Sequence, residues 1–203
     1  MKQIWKLCGY DSAVLERMLR AAYPLAPAMS KARAQMLPWQ MVALYGLTLD
    51  WRPRRILEVG AGLGTSAWMM AQAQRTAEIV TLSINPTEAT LAQRLLNSVG
   101  AQARVEVCAS VDYYRLHNYE RWDLIYIDGD HRACCADLPW FNSLNPGGLM
   151  LFHDYSPAIC PPVYEAVSAL AMVSGGVLDV ELIDADGIGM AGVVRQEGEE
   201  WLA

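Results

Sequence analysis

The rhythm of hydrophobic and polar positions changes once along the chain, near Pro53. Before that point the spacing is helical. "DSAVLERMLRAA" opens on an Asp or Ser cap and sets Val14, Leu15, Met18 and Leu19 on one face. "PAMSKARAQM" has few large apolar residues and reads as a loop. "LPWQMVALYGLTLDW" predicts a second helix with Pro38 near its first turn. After Pro53, short β-rich runs alternate with helical stretches. Strands are predicted at 54–60, 77–84, 103–110, 122–128 and 147–154. Helices are predicted from Thr65, over 87–98, in a short piece after 110, over 132–144 and over 161–173.

Continuous apolar strands separated by amphipathic helices imply a parallel sheet covered on both faces. Right-handed crossovers then give an α/β, doubly wound, Rossmann-like sandwich. The tail breaks the alternation. "VLDVELID" and "GIGMAGVVRQ" read as two strands around the turn signal "ADG", a hairpin that brings an antiparallel strand to one edge. The chain thus divides into a helical extension, 1–52, and a sheet domain, 53–203.

In such sheets ligands bind at the carboxyl ends of the strands. The first strand delivers Glu58 and the run Gly60-Ala61-Gly62-Leu63-Gly64 there, and the second delivers Ser83 and Asn85. The third delivers Ser110 and Asp112. The fourth delivers Asp128, Gly129, Asp130 and His131, and the fifth His153, Asp154 and Tyr155. Two of the 3 histidines meet several acids on one rim.

Composition narrows the functional classes. A chain of 203 residues, 53% hydrophobic and 19% charged, fits one folded domain. Its apolar runs are too short for a bilayer span. "MKQIWKLCGYDS" does not read as a signal peptide. A net charge of -6 with no basic stripe argues against nucleic acid. The basic cluster "WRPRR" reads as a solvated loop. The 5 cysteines match neither a disulfide framework nor a zinc site, which suits free thiols in a reducing cytoplasm.

The glycine loop separates cofactor classes. Its spacing is G-x-G-x-G after an acid, whereas a dinucleotide fingerprint is G-x-G-x-x-G with an acid about twenty residues on. No lysine follows, so it is not a triphosphate loop. A tight turn without a ligand is the bland alternative.

"LEVGAGLGTS", "YIDGDH" and "PGGLMLFHDY", in that order, resemble the class I S-adenosylmethionine-dependent methyltransferases. The nearest branch is that of small-molecule O-methyltransferases, the catechol and macrocin types. The resemblance spans roughly 54–196 and implies a seven-stranded sheet with a reversed last strand. It implies that Glu58 supports the loop or the ammonium of S-adenosylmethionine. Gly60, Ala61, Gly62 and Gly64 would then lie against the methionyl part, with Thr65 and Ser66 capping the next helix and bonding the carboxylate. The family ends the second strand in an acid for the ribose diol; Ser83 and Asn85 stand there instead. Asp112 would reach the adenine, or serve only as a helix N-terminal acid, with Ser110 beside it.

On the fourth and fifth strands the resemblance implies a metal site, with Asp128 a ligand of Mg²⁺ or another divalent ion and His131 the general base. His153 and Asp154 would complete that site. His153 departs from the usual second acid. It would suit a softer ion, act as a second acid/base group, or simply be packed; Asp130 would cap the helix near His131. Trp39, Tyr45 and Trp51 would form a lid over a small-molecule acceptor, or pack in the core or a homodimer. The expected activity is methyl transfer to a hydroxyl. The rivals are a catalytically inactive binding protein on the same fold and a nicotinamide-dependent oxidoreductase, whose fingerprint is missing.

Overall fold

A computed structural model describes residues 36, 38–174, 178–180 and 189–201. The expected first helix, "DSAVLERMLRAA", and the "ADG" turn lie outside the described residues. The described chain begins with α1 (Pro38–Trp51), then alternates β1 (Arg55–Val59), α2 (Thr65–Ala73), β2 (Glu78–Ser83), α3 (Pro86–Ser98), β3 (Ala103–Val107), α4 (Ser110–His117) and β4 (Trp122–Ile127). A 3₁₀ helix (Cys134–Ser143), β5 (Leu144–Tyr155), α5 (Pro161–Ser174), β6 (Leu178–Val180) and β7 (Gly189–Val194) follow.

The strands form one sheet in the order β3-β2-β1-β4-β5-β7-β6. β1 to β5 are parallel, and β7 runs antiparallel to both β5 and β6. The expected α/β class with a reversed C-terminal strand is therefore present, but the reversed strand is inserted between β5 and the three-residue β6, which forms the edge. The order doubles back between β1 and β4, so the crevice above those two strands is the switch point.

Alternation within each strand builds two cores. Ile56, Ile79, Leu124, Tyr126, Leu149 and Leu151 meet α1 and α2 on one face. Leu57, Val59, Val80, Ile125, Ile127, Met150 and Phe152 meet the 3₁₀ helix and α5 on the other. Burial on both faces explains why the strands read as unbroken apolar runs. α1 belongs to the first core, with Met41, Leu44 and Leu47 buried, and Tyr45 and Trp51 pack against it. The Trp51 indole N–H donates to the Gly147 carbonyl at 3.1 Å. These two aromatics are thus packing residues rather than a lid.

Two further expectations change. Within the stretch 132–144, expected as an α-helix, Cys134–Ser143 is a 3₁₀ helix with Pro139 inside it. A proline there lacks the N–H that an α-helical ladder needs. Arg55 is also no loop residue. It opens β1, pairs with Glu78 at 3.0 Å and Glu120 at 2.5 Å, and lies over the Trp122 ring at 4.3 Å. This network closes the end of the sheet opposite the strand carboxyl ends.

Candidate active site

The glycine loop is held from below. The Gly60 and Ala61 amides donate to the Leu82 carbonyl of β2 at 3.0 and 2.8 Å, and the Asp128 amide donates to the Val59 carbonyl at 2.8 Å. Gly60 has φ +104°, and a Cβ there would stand 2.1 Å from the Asp128 carbonyl oxygen. Gly64 has φ +84°, and a Cβ there would stand 3.0 Å from Ala92 of α3. These two glycines are therefore required by packing and backbone conformation, ligand or not. Gly62 differs: nothing lies within 4 Å of where its Cβ would be. The open face of the loop is at Gly62.

Glu58 lies under the loop, fully buried on the α2 side, and accepts a hydrogen bond from the Ser66 hydroxyl. Burial pushes its carboxyl up to about 8, with the Ser66 bond pulling the other way. A group this enclosed supports the loop; it presents no surface to an ammonium. The expected capping role of Ser66 is corrected by the same bond. Helix α2 starts from Gly64 in the left-handed region with no side-chain cap, which leaves the amides of its first turn for another acceptor.

The β2 and β3 ends are occupied by local bonds. The Asn85 side chain caps α3, accepting from the Thr87 and Glu88 amides at 3.0 and 3.4 Å. The Ser83 hydroxyl donates to the Asn85 carbonyl at 3.2 Å and accepts from the Asn85 amide at 3.1 Å. Ser110 Oγ accepts from the Trp140 indole at 2.8 Å. Asp112 is exposed in the first turn of α4 and pairs with Arg115 at 2.9 Å. Asp130 closes a turn by accepting from the Arg132 amide at 3.0 Å, ahead of the 3₁₀ helix rather than as its cap.

The ends of β4 and β5 converge. His153 Nδ1 lies 3.1 Å from Asp128 Oδ1 and 3.0 Å from Asp154 Oδ1. His131 Nε2 lies 3.8 Å from Asp128 Oδ1 and 3.6 Å from Asp154 Oδ2. The two imidazoles face each other with centroids 6.4 Å apart. Ligand atoms of Asp128, His131 and His153 all lie within 4.8 Å of one another, and Asp154 flanks this trio. Asp154 has φ +54°, uncommon for a residue with a Cβ.

The charges are coupled. Burial would raise the Asp128 carboxyl, but His131 and His153 hold it below the usual range. The Asp128 contact raises His131 above 6.5 against its partial burial, and Asp154 adds to the rise. Burial opposes charge on His153 too, yet Asp128 and Asp154 push it up to about 10.

Beside this rim is a cavity of about 410 Å³, lined by Gly129, Asp130, His131, Arg132, Ile159, Cys160 and Pro162. Sequence reasoning missed Ile159 and Cys160. They follow β5 at its carboxyl end, so the strand-end rule applied one loop further would have found them. Tyr126, also missed, is fully buried and meets His153 edge-on at 6.3 Å. Its signal was hidden inside an apolar strand.

Comparison with known proteins agrees with this fold. The model of a family described as "Methyltransferase domain" matches residues 57–155, from β1 to the end of β5. An O-methyltransferase from Bacillus cereus in complex with SAH superposes with a TM-score of 0.70 at 18% identity, covering 95% of both chains. The O-methyltransferase TomG from Streptomyces achromogenes, involved in tomaymycin synthesis and in complex with SAM, gives 0.68 at 17% identity, covering 92% of this chain and 91% of that one. The SAH-bound methyltransferase PaMTH1 from Podospora anserina gives 0.67 at 19% identity, covering 93% and 89%. No curated protein matches the sequence. At such identities the structural likeness is one of fold. Residues 57–155 thus match a methyltransferase-domain model, and the chain shares its fold with these solved methyltransferases.

Proposed function

We propose that this chain is an S-adenosylmethionine-dependent O-methyltransferase that methylates a hydroxyl of a small molecule, assisted by a divalent ion. The observation that carries the reading is that the glycine loop abuts the rim: a Cβ on Gly60 would stand 2.1 Å from the carbonyl oxygen of Asp128, which forms the rim with His131, His153 and Asp154. S-adenosylmethionine supplies the electrophilic methyl group. Gly60 to Gly64 and the uncapped first turn of α2, at Thr65 and Ser66, receive the methionyl end and its carboxylate. The ribose meets the β2 end, where Ser83 and Asn85 are already bonded to their own turn and no carboxylate is available. Binding there is correspondingly weaker than a charge-assisted bond would give. Ser110 and Asp112 border the adenine side.

His131 takes the hydroxyl proton, and Asp128 and Asp154 stabilise the imidazolium that results. The acceptor occupies the adjoining cavity, which positions its oxygen for in-line attack. Nitrogen and oxygen donors gathered around a buried, orphaned imidazole fit a divalent ion. Asp128 and His153 would hold it, with Asp154 beside them, leaving His131 as the base. When bound, it would lower the pKa of a coordinated hydroxyl. Residues 53–203 carry the chemistry, and α1, within residues 1–52, packs on the sheet beside α2. Among the described residues no helix is long and apolar enough to cross a membrane; a cytoplasmic protein is the reading adopted.

Calorimetric titration with S-adenosylmethionine and S-adenosylhomocysteine, with and without divalent ions, tests the proposal. Absence of binding under every condition would sink it. Binding that no ion alters would remove the metal and leave methyl transfer in place.

A further inference from the structure

We infer that the rim is selective for a transition-metal ion over Mg²⁺, with His153 as the ligand that sets the selection. This rests on the reading that the rim holds a divalent ion, and it opposes the oxygen-only site that Mg²⁺ requires.

Three observations carry it. The first is donor chemistry. Asp128 Oδ1 has the two imidazole nitrogens as its close neighbours, at 3.1 and 3.8 Å. His153 Nδ1 lies within 3.1 Å of both carboxylates, so an ion bound to Asp128 meets this nitrogen whichever third group completes the site. Imidazole nitrogen suits Zn²⁺, Fe²⁺, Co²⁺ and Ni²⁺, whereas Mg²⁺ takes oxygen.

The second is burial. His153 is 6% exposed, and neither of its ring nitrogens makes a hydrogen bond among the described residues. Asp128 and Asp154 are near enough to bond Nδ1, so the failure is one of direction: the oxygens do not lie along the N–H axis. Buried polar groups are nearly always satisfied. Donor atoms that crowd together without aiming at one another are arranged as ligands around a common point.

The third is distance. Two ligand atoms about 2.1 Å from one ion lie about 3.0 Å apart at octahedral angles and about 3.4 Å at tetrahedral ones. His153 Nδ1 lies 3.1 Å from Asp128 Oδ1 and 3.0 Å from Asp154 Oδ1. Both separations match the octahedral value.

The test uses the full-length protein stripped by chelation, with Co²⁺ as the spectroscopic probe and Mg²⁺ as competitor. Titration of Co²⁺ should saturate at one ion per chain and produce visible absorption bands of a mixed nitrogen and oxygen site. A hundredfold excess of Mg²⁺ should remove no more than about half of the band intensity, reflecting a preference of about 100-fold or more. Equal competition by Mg²⁺ would overturn the inference with the unaltered protein alone. His153→Asp and His153→Asn, checked by thermal midpoint, should each reduce the Co²⁺ to Mg²⁺ preference at least about tenfold. An unchanged preference in a folded variant would overturn the assignment of His153. S-adenosylhomocysteine binding, measured in parallel without ions, separates the two levels. If neither ion binds but S-adenosylhomocysteine does, the metal site is refuted and the methyltransferase reading stands.

Discussion

At the residue scale, Gly60 and His131 carry different burdens. Gly60 combines a positive φ with a backbone oxygen where a Cβ would sit. Gly60→Ala should cost on the order of 3–5 kcal/mol in chemical denaturation, the range for strain and overpacking together. A folded variant with near-normal stability would show that the β1–β4 crevice is looser than its hydrogen bonds indicate. His131 is half-exposed, and its removal leaves the loop untouched. His131→Ala should lower turnover about 10²- to 10⁴-fold while S-adenosylhomocysteine affinity holds. Because Asp128 and Asp154 raise its pKa above 6.5, the base is charged and idle in mildly acidic solution. Turnover should therefore climb with pH above 6.5, and Asp154→Asn should move that climb to lower pH. A pH–rate profile that stays put in Asp154→Asn would disconnect the carboxylate from the base.

At the element scale, the strand ends decide what the sequence could disclose. β1, β4 and β5 were legible because both faces are buried and their last residues stand out as acids and histidines against apolar runs. Their gathering of Asp128, His131, His153 and Asp154 follows from parallel register alone. The β2 and β3 ends were ambiguous. Ser83, Asn85, Ser110 and Asp112 have the right polarity for a ligand, yet the polarity is used to cap, turn and brace neighbouring helices. Short polar side chains serve local backbone as readily as a ligand, and a sequence does not show which partner is nearer. The 3₁₀ helix was missed because its apolar spacing resembles an α-helix until Pro139 is weighed. Asn85 gives the decisive comparison. Asn85→Ala should cost about 1 kcal/mol of stability through the lost cap, with cofactor affinity changed less than threefold, or about 0.6 kcal/mol. A tenfold weaker affinity at unaltered stability would return Asn85 to the ribose.

For the whole molecule, the buried acids set a pH profile that surface charge does not reveal. Burial raises Glu58 to about 8, and burial likewise raises Asp137 to about 6 despite its Ser110 bond. In the unfolded chain both ionise at ordinary carboxyl values, so between those values and the raised ones the folded state holds more protons. Stability then falls as pH rises through that window. His131 and His153, raised by their carboxylates in the ion-free protein, act in the same direction. Their contribution is full below 6.5 and is lost as pH passes their folded values. Acids held low oppose this at the other end. Glu78 is lowered first by Arg104 and then Arg55, and Glu120 by Arg55 and His117 against its burial. Those pairs stabilise above the usual carboxyl range and fail below it. The ion-free protein should thus be most stable in mildly acidic solution, near pH 5, and lose stability steadily towards pH 8. Each unit of Glu58 shift corresponds to about 1.4 kcal/mol between its two protonation states, so this one side chain dominates the decline. Glu58→Gln keeps the shape and removes the titration. It should flatten the profile and raise the thermal midpoint more at pH 8 than at pH 5. A midpoint that instead climbs from pH 5 to pH 8 in the unaltered protein would mean that Glu58 is ionised beneath the glycine loop, with a cation or solvent reaching it from the open face at Gly62.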